Sequence, residues 1–213
     1  FNASNSTATF AGFSLKGYNE LLNDETAINA LFNTLKLAGL NTVISTVLGT
    51  TAAVGIFGMR NKWFKTGILT ITNIPMMNPD IVTGVSLMLL FAFVGRLLGL
   101  VDSLGFSTML IAHVTFSLPY VVLNVLPKLQ QTDPSLAEAA QDLGSTPVQA
   151  FFKIIIPSIS SGILSGALMA FTLSIDDFVI SLFVAGPDST TLPLYIYGLV
   201  KRGLSPEINA LST

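Results

Sequence analysis

Four apolar stretches, each long enough to cross a lipid bilayer, constrain this chain more than any other feature of its sequence. They lie at about 30–58, 67–94, 106–126 and 154–185, and a transmembrane helix needs roughly 20 mostly apolar residues. Only 10% of the 213 residues are charged, whereas soluble domains average about 25%. Such a chain cannot cover itself with a solvated surface, and we predict an all-α, polytopic membrane protein.

Small and hydroxylated residues recur within the apolar stretches. In the first and last stretches they are Gly39, Thr42, Ser45, Thr46, Gly49, Thr50, Ser161, Gly162, Ser165 and Gly166. Small side chains let membrane helices approach each other closely. We therefore expect one packed helix bundle, a single transmembrane domain over 1–213, rather than a set of independent anchors.

The short loop at 59–66 predicts the orientation of the bundle. It contains Arg60, Lys62 and Lys65 and no acidic residue, and short basic loops face the cytoplasm. Alternation then predicts the other segments: 95–105 outside, 127–153 inside and 186–213 outside. Because both ends fall outside, we expect the sequence to be the core of a longer chain that lacks a first and a last membrane span.

Composition excludes several other classes of protein. The net charge of −2 argues against a nucleic-acid partner, which requires a basic surface. The chain has no cysteine and one histidine, His113, so a zinc site is not expected. We predict that His113 is a hydrogen-bonded residue of the bundle and that Trp63 is an interface anchor beside the basic loop.

A polar interruption at 138–157, with the sequence EAAQDLGSTPVQAFFKIIIP, separates the third and fourth apolar stretches. Asp133 or Ser135 can cap a short helix here. Glu138 then lies in the first turn, where a negative charge suits the helix dipole. Gly144 suits the position just after the end of this helix, where a positive φ is favourable.

A second short helix is predicted to follow the glycine. Ser145 or Thr146 can cap it, and it carries Phe151 and Phe152 before the membrane segment restarts at 154–157. From the residues alone, an ordinary cytoplasmic loop and a compact docking surface remain open alternatives.

The spacing in this segment resembles the EAA loop of ABC importer permeases. The matching residues are Glu138, Ala139, Ala140, Gly144, Ile154, Ile156 and Pro157. Isoleucine at position 156 replaces the usual leucine. The resemblance implies a MetI-like fold with a short cytoplasmic coupling helix that docks onto an ATPase subunit. The coupling residues it implies are Glu138, Ala139, Ala140, Gly144 and Pro157.

The chain itself contains no G-x-x-x-x-G-K-[ST] motif. We therefore expect a transport subunit with no catalytic residues and no cofactor, whose ATP is bound and hydrolysed by a separate polypeptide.

Three acidic residues are candidates for a substrate path. Asp176 and Asp177 follow an apolar run, and Asp80 follows Pro79 at a predicted helix break. Charges at membrane depth are costly and are usually functional, and three acids without a base favour a cation. The structural alternatives are that Asp80 caps the half-helix after Pro79 and that Asp177 caps or pairs within the bundle.

Aromatic residues near these acids offer faces for a cationic amine. They are Phe171, Phe178, Tyr195 and Tyr197. Packing and the interfacial aromatic belt are the more common roles of such residues in a membrane bundle.

Five segments, at 77–91, 112–129, 138–144, 171–187 and 192–211, resemble the permease subunits of spermidine/putrescine importers. The resemblance implies a polyamine substrate, the bacterial inner membrane, and three kinds of protein partner. These are a second homologous permease, two copies of an ATPase, and a periplasmic or lipoprotein substrate-binding protein docking near 186–207. A permease for another solute, such as ferric iron or an organic cation, and a channel not driven by ATP are the alternatives.

Overall fold

The computed structural model describes residues 23–99, 104–133 and 135–202, and all regular secondary structure in these ranges is helical. The first and last membrane spans that we expect the sequence to lack lie outside the described residues.

The described residues form ten α-helices and one π-helix. In chain order these are α1 Glu25–Gly58, α2 Lys62–Met77, α3 Asp80–Leu97, α4 Phe106–Gln131, α5 Ser135–Asp142, α6 Pro147–Ala150, the π-helix Phe151–Ile155, α7 Ile156–Ser158, α8 Ser160–Asp176, α9 Val179–Val184 and α10 Leu192–Arg202.

The long helices α1, α4 and α8 pack against one another and form the core of the bundle. Their contacts depend on glycine. A Cβ on Gly49 would lie 2.7 Å from Val121, and a Cβ on Gly162 would lie 2.9 Å from the carbonyl oxygen of Asn124. Both distances are shorter than a real contact allows, so glycine is required for these helices to approach so closely. The predicted packed bundle is confirmed.

A buried polar cluster also joins these three helices. The Asn41 amide on α1 donates to the Ser117 hydroxyl on α4 at 3.0 Å and to the Ala170 carbonyl on α8 at 3.1 Å. The Ser45 hydroxyl donates to the Asn41 side-chain oxygen at 3.0 Å. Each such bond contributes on the order of 1 kcal/mol in a membrane bundle, and together they fix the register of the three helices.

Packing distributes the loops between the two ends of the bundle. One apolar cluster contains Ile56, Leu129 and Ile159, so the loops predicted to be cytoplasmic lie together at one end. At the opposite end, Gly186 packs against the Leu104 carbonyl, and the Asn33 amide donates to the Thr190 carbonyl at 3.2 Å. The alternation of loops agrees with the predicted topology, and the assignment of one end to the cytoplasm stays a prediction.

The second apolar stretch, predicted as one span over 67–94, forms two helices. Helix α2 ends at Met77 and α3 begins at Asp80, with Asn78 and Pro79 extended between them. The residue before a proline is disfavoured in the helical region, which accounts for the break at Asn78. The break that the sequence predicted at Pro79 is confirmed, and α3 alone is long and apolar enough to cross a membrane.

The prediction that the fourth stretch is one helix over 154–185 is wrong. The helical segments Pro147–Ser158 and Ser160–Asp176 meet at an angle of 66°. Pro157 has no N–H to donate and its ring crowds the preceding turn, which bends a helix. Pro157 therefore bends a helical segment that is already under way and does not begin the span. Counting this bent pair as one span gives four spans among the described residues, as predicted.

Candidate functional site

The three predicted substrate-path acids line one cavity of about 220 Å³ between α3, α4, α8 and α9. We call it the acidic cavity. Its lining residues are Asp80, Phe116, Thr172, Leu173, Asp176, Asp177, Phe178 and Val179. The lining contains no basic side chain. The cavity is formed where three helices begin or end, because Asp80 begins α3, Asp176 ends α8 and Val179 begins α9.

Asp80 and Asp176 are the accessible acids of this cavity, since both side chains are exposed. The alternative that Asp80 caps α3 is wrong, because Pro79 occupies the N-cap position and makes no side-chain capping bond. Asp80 lies instead in the first turn of α3, where the helix dipole favours its negative charge. Its carboxylate is thereby stabilised without being used in packing.

Asp177, the neighbour of Asp176, has a different environment. Its side chain is only 9% exposed. One carboxylate oxygen accepts the Ile180 N–H at 3.2 Å, and the other accepts the Ser181 N–H and hydroxyl, both at 2.8 Å. The carboxylate thus receives N–H groups that have no partner within the first turn of α9. These bonds agree with the alternative that Asp177 caps or pairs within the bundle, and a contact of Asp177 with substrate stays a prediction.

His113 on α4 joins Asp177 in a buried cluster of four side chains. Its ring nitrogen Nδ1 lies 2.8 Å from the Ser174 hydroxyl, and Nε2 lies 3.1 Å from the Ser181 hydroxyl. Nε2 is also 3.3 Å from the Asp177 carboxylate. The predicted hydrogen-bonded role of His113 is confirmed. We call His113, Ser174, Asp177 and Ser181 the His113 cluster.

Aromatic rings form part of the cavity wall. Phe116 packs on Tyr120 with ring centroids 5.5 Å apart, and Phe178 packs on Tyr197 at 4.7 Å. Phe178 and Tyr197 were predicted candidates. Phe116 was missed, because nothing in the sequence distinguishes it from the other phenylalanines of the apolar stretches.

The other two aromatic candidates lie elsewhere. Phe171 is not a lining residue of the cavity. The Tyr195 hydroxyl donates to Asp24 at the start of α1. That bond is the main reason that the pKa of Asp24 lies below its usual value, and it ties α10 to α1.

The polar interruption folds at the opposite end of the bundle, with the turn that the sequence predicted. Asp133 accepts the Ser135 N–H at 2.9 Å, which lowers the pKa of this exposed carboxyl. Gly144 has a φ of +88°. The Gly144 N–H donates to the Gln141 carbonyl and the Ser145 N–H to the Ala140 carbonyl. These two bonds form a Schellman motif, which ends α5 sharply.

Thr146 caps the next helix, as predicted, and forms a capping box with Gln149. The chain continues from α6 into the π-helix, and α5 packs against that π-helix. A π-helical segment inserts one extra residue per turn and is often found at functional positions. Here it connects the short polar helices directly to the bend that precedes α8.

The predicted coupling residues differ in exposure. Glu138, Ala139, Gly144 and Pro157 are exposed, whereas Ala140 is buried and packs inward. Two apolar side chains that were not predicted lie beside them and face outward, namely Leu143 at 89% exposure and Val148 at 66%. We call the exposed set Glu138, Ala139, Leu143, Gly144 and Val148 the coupling surface.

A membrane bundle with a charged cavity between broken helices defines the general class of solute transport proteins. Residues 45–200 match the family described as "Binding-protein-dependent transport system inner membrane component". The chain belongs to this family, and it is a permease subunit of an ABC importer. It is not an enzyme, and ATP hydrolysis belongs to a separate ATPase.

Curated relatives match the whole chain. It is 41% identical over 213 residues to the putrescine transport system permease protein PotI of Escherichia coli K12, covering 100% of this chain and 76% of the relative. It is 40% identical over 215 residues to the spermidine/putrescine transport system permease protein PotC of Haemophilus influenzae, covering 100% of this chain and 80% of that protein. The resemblance predicted from the five segments is confirmed.

Solved structures share the fold at low sequence identity. A bacterial ABC transporter that imports the acidic polysaccharide alginate has a TM-score of 0.77 at 19% identity, covering 95% of this chain and 77% of that one. A bacterial alginate ABC transporter in complex with a pentasaccharide-bound periplasmic protein has a TM-score of 0.74 at 17% identity, covering 94% and 76%. The MetI-like, all-α membrane fold predicted from the sequence is confirmed.

Proposed function

We propose that this permease carries polyamines such as putrescine and spermidine, and that its cargo contacts the acidic cavity. The observation that carries the proposal is the cavity lining, which combines exposed carboxylates with the rings of Phe116 and Phe178 and contains no basic side chain. A polyamine has cationic amines separated by short methylene chains. Carboxylates bind the amines, and aromatic faces suit both the charge and the apolar segments.

The exposed acids favour this cargo on energetic grounds. A carboxylate at membrane depth costs several kcal/mol unless it faces a partner or a water-filled space. Asp177 is compensated by hydrogen bonds within the protein. Asp80 and Asp176 face the cavity, and in the described residues neither forms an ion pair with a basic side chain. A cationic cargo supplies the missing partner.

The shared fold alone does not determine this cargo. The structural neighbour at 19% identity imports alginate, which is an acidic polysaccharide. A bundle of the same architecture therefore serves an anionic cargo in that protein. The cargo of the present chain must follow from the side chains that line its path. The polyamine names of the relatives at 40–41% identity agree with the acidic lining.

We also propose the partners that drive transport. The coupling surface presents Leu143 and Val148, two large apolar side chains, beyond the end of the bundle. Exposed apolar groups beside a charged residue, here Glu138, are typical of a docking site. We propose that the ATPase subunit binds here, that a second homologous permease completes the path, and that a substrate-binding protein delivers the cargo at the opposite end.

Uptake by the reconstituted complex tests the cargo. Labelled putrescine and spermidine are supplied to proteoliposomes that contain both permeases, the ATPase and the binding protein. We expect ATP-dependent uptake. The Asp80→Asn, Asp176→Asn double variant should raise KM about a hundredfold, because each of the two lost charge-assisted contacts is worth about 1.5 kcal/mol, or about tenfold. Glu25→Gln removes an exposed acid outside the cavity and should leave KM unchanged.

Each part of the proposal has its own contradicting result. Uptake that persists with an inactive ATPase contradicts ATP-driven import. Uptake of ferric iron or of another organic cation in preference to polyamines contradicts the cargo. An unchanged KM in the double variant contradicts the role of the two exposed carboxylates.

A pair of glycine variants tests the coupling surface. Gly144 and Gly99 both have a positive φ, +88° and +71°, and an added Cβ meets nothing within 4 Å at either position. Alanine therefore carries a similar backbone penalty of about 1 kcal/mol at both sites. We expect Gly144→Ala to raise the number of ATP molecules hydrolysed per polyamine transported, and Gly99→Ala to leave that ratio unchanged. Equal ratios in both variants contradict docking at this surface.

A further inference from the structure

We infer that His113 is a positioning residue for transport, which fixes the break between α8 and α9 and so directs Asp176 into the acidic cavity. The role of His113 in transport rests on the proposed function. Its contacts across the break do not depend on that proposal. His113 lies on α4, Ser174 lies before the break and Ser181 lies after it. One buried ring therefore bridges the two sides of the break from a third helix.

The hydrogen bonds of the His113 cluster give each ring nitrogen a partner. The Ser181 hydroxyl donates a hydrogen bond to Asp177 at 2.8 Å, so its oxygen can accept a hydrogen bond from Nε2 of His113. Nδ1 then accepts the hydroxyl proton of Ser174. With Nε2 as the donor and Nδ1 as the acceptor, both ring nitrogens have a hydrogen-bond partner within the cluster, and such a satisfied buried network is rigid.

This rigid network competes with an unbroken helix. A continuous helix past Asp176 would pair the Ile180 and Ser181 N–H groups with carbonyls of the preceding turn. In the structure they are paired with the Asp177 carboxylate instead, and the backbone at Asp177 is extended with φ −66° and ψ 120°. His113 holds that carboxylate from the opposite side.

Two adjacent acids thereby acquire separate tasks. The Asp177 carboxylate is occupied by its hydrogen bonds in the His113 cluster, and its side chain is 9% exposed. Asp176 is the last residue of α8, is exposed and belongs to the cavity lining. Successive residues of a helix point about 100° apart, so loss of the break would turn the Asp177 carboxylate out of the cluster and change how the two acids are presented to the cavity. The position of Asp176 therefore depends on His113, which lies on another helix and is itself buried.

Site-directed labelling tests the positioning without any assumption about the cargo. The chain has no cysteine, so Asp176→Cys provides a single reactive thiol on this chain. The probe is a water-soluble methanethiosulfonate with a quaternary ammonium group, applied to the assembled complex. We expect His113→Ala to slow labelling of the Asp176→Cys variant about fivefold or more, and His113→Gln, which retains a donor near Asp177, to restore at least half of the rate.

A second labelling site is the matched control. Thr172 also lines the cavity and lies one turn earlier in α8, before the break. Labelling of the Thr172→Cys variant should change less than twofold when His113 is replaced, following the usual insensitivity of sites outside a local network. Equal slowing at both positions, or no slowing at position 176, overturns the inference.

Transport kinetics provide the second readout. His113→Ala should raise the polyamine KM about tenfold with kcat changed less than threefold. In the Asp176→Asn background the same substitution should raise KM less than twofold, because residues that act through one another are not additive. A full tenfold effect in both backgrounds overturns the positioning role.

Two further variants separate positioning from general damage to the fold. Thr115→Ala lies on the exposed side of α4, where its hydroxyl bonds the Ile111 carbonyl of its own helix, and it should leave both readouts unchanged. If His113→Ala fails to assemble, Ser174→Ala is measured in its place, and an unchanged labelling rate in Ser174→Ala overturns the inference. If the wild-type complex takes up no polyamine, the proposed function is contradicted. The labelling experiment then still tests whether His113 positions Asp176.

Discussion

The two helix breaks that border the acidic cavity are built in different ways. The break between α2 and α3 consists of Asn78 and Pro79, both exposed, and no side chain caps the helix that follows. The break between α8 and α9 is half-buried and is held by the Asp177 carboxylate together with His113. One break depends on the covalent geometry of proline, and the other depends on side chains from three segments of the chain.

This difference determines how an acid can be presented to the cavity. At the first break, Asp80 is free to bind because proline alone interrupts the helix. At the second break, one acid is used to hold the interruption and its neighbour Asp176 is left available. A pair of adjacent aspartates is therefore needed at the second break, and a single aspartate is sufficient at the first.

The largest expected effect separates the two adjacent acids. Asp177→Ala leaves the Ile180 N–H, the Ser181 N–H and the Ser181 hydroxyl without their acceptor, and it removes the carboxylate beside His113. We expect the free energy of unfolding to fall by about 3 kcal/mol, measured by denaturant unfolding of the purified subunit in detergent. Asp176→Ala should change it by less than about 0.5 kcal/mol. Similar losses in the two variants would remove the distinction between the acids.

A smaller effect is expected for a single hydroxyl of the cluster. Ser181→Ala removes the group that bonds both His113 and Asp177, and the free energy of unfolding should fall by about 1 kcal/mol. Ser158→Ala is the matched control, because its exposed hydroxyl bonds only the Ile154 carbonyl of the preceding turn. If both serine variants unfold at the same denaturant concentration, the second break is not held by side chains.

A substitution at the first break should lower the free energy of unfolding less than Asp177→Ala does. Pro79→Ala is compatible with the folded backbone at position 79, because the φ of −59° suits alanine, but it removes the steric restriction on Asn78 and increases the freedom of the unfolded chain. The expected loss is about 0.4–1 kcal/mol, measured in the same denaturant series. A loss as large as that of Asp177→Ala would mean that the two breaks are held equally tightly.

The smallest effect on stability is expected for Asp80→Asn. Its carboxylate is exposed, and Pro79, not Asp80, occupies the N-cap position of α3. The free energy of unfolding should change by less than about 0.5 kcal/mol, even though we expect the same variant to weaken polyamine uptake. A clear stability loss would show that Asp80 has a packing role and would weaken its assignment to the substrate path.

The amino-acid sequence alone determined the class of protein and the coarse plan of the bundle. Four long apolar stretches and a low charge content exclude a soluble fold, because a bilayer selects helices by hydropathy and length. The turn at Gly144 and the cap at Thr146 were also predictable, since caps and left-handed turns depend on a few neighbouring residues. The spacing around Glu138 then identified the family.

Only the tertiary structure decided where the long helices bend and which acid is free. The sequence predicts a continuous helix through Asp177, because the residue that holds the break, His113, is 64 positions away and on another helix. Likewise, Ala139 and Ala140 look equivalent until packing buries one of them. The local sequence pattern reflects hydropathy and helix propensity. Burial and hydrogen-bond partners, in contrast, arise from contacts between segments that are distant in the sequence. For that reason the adjacent acids Asp176 and Asp177 were found together in the sequence and were given different tasks only by the fold.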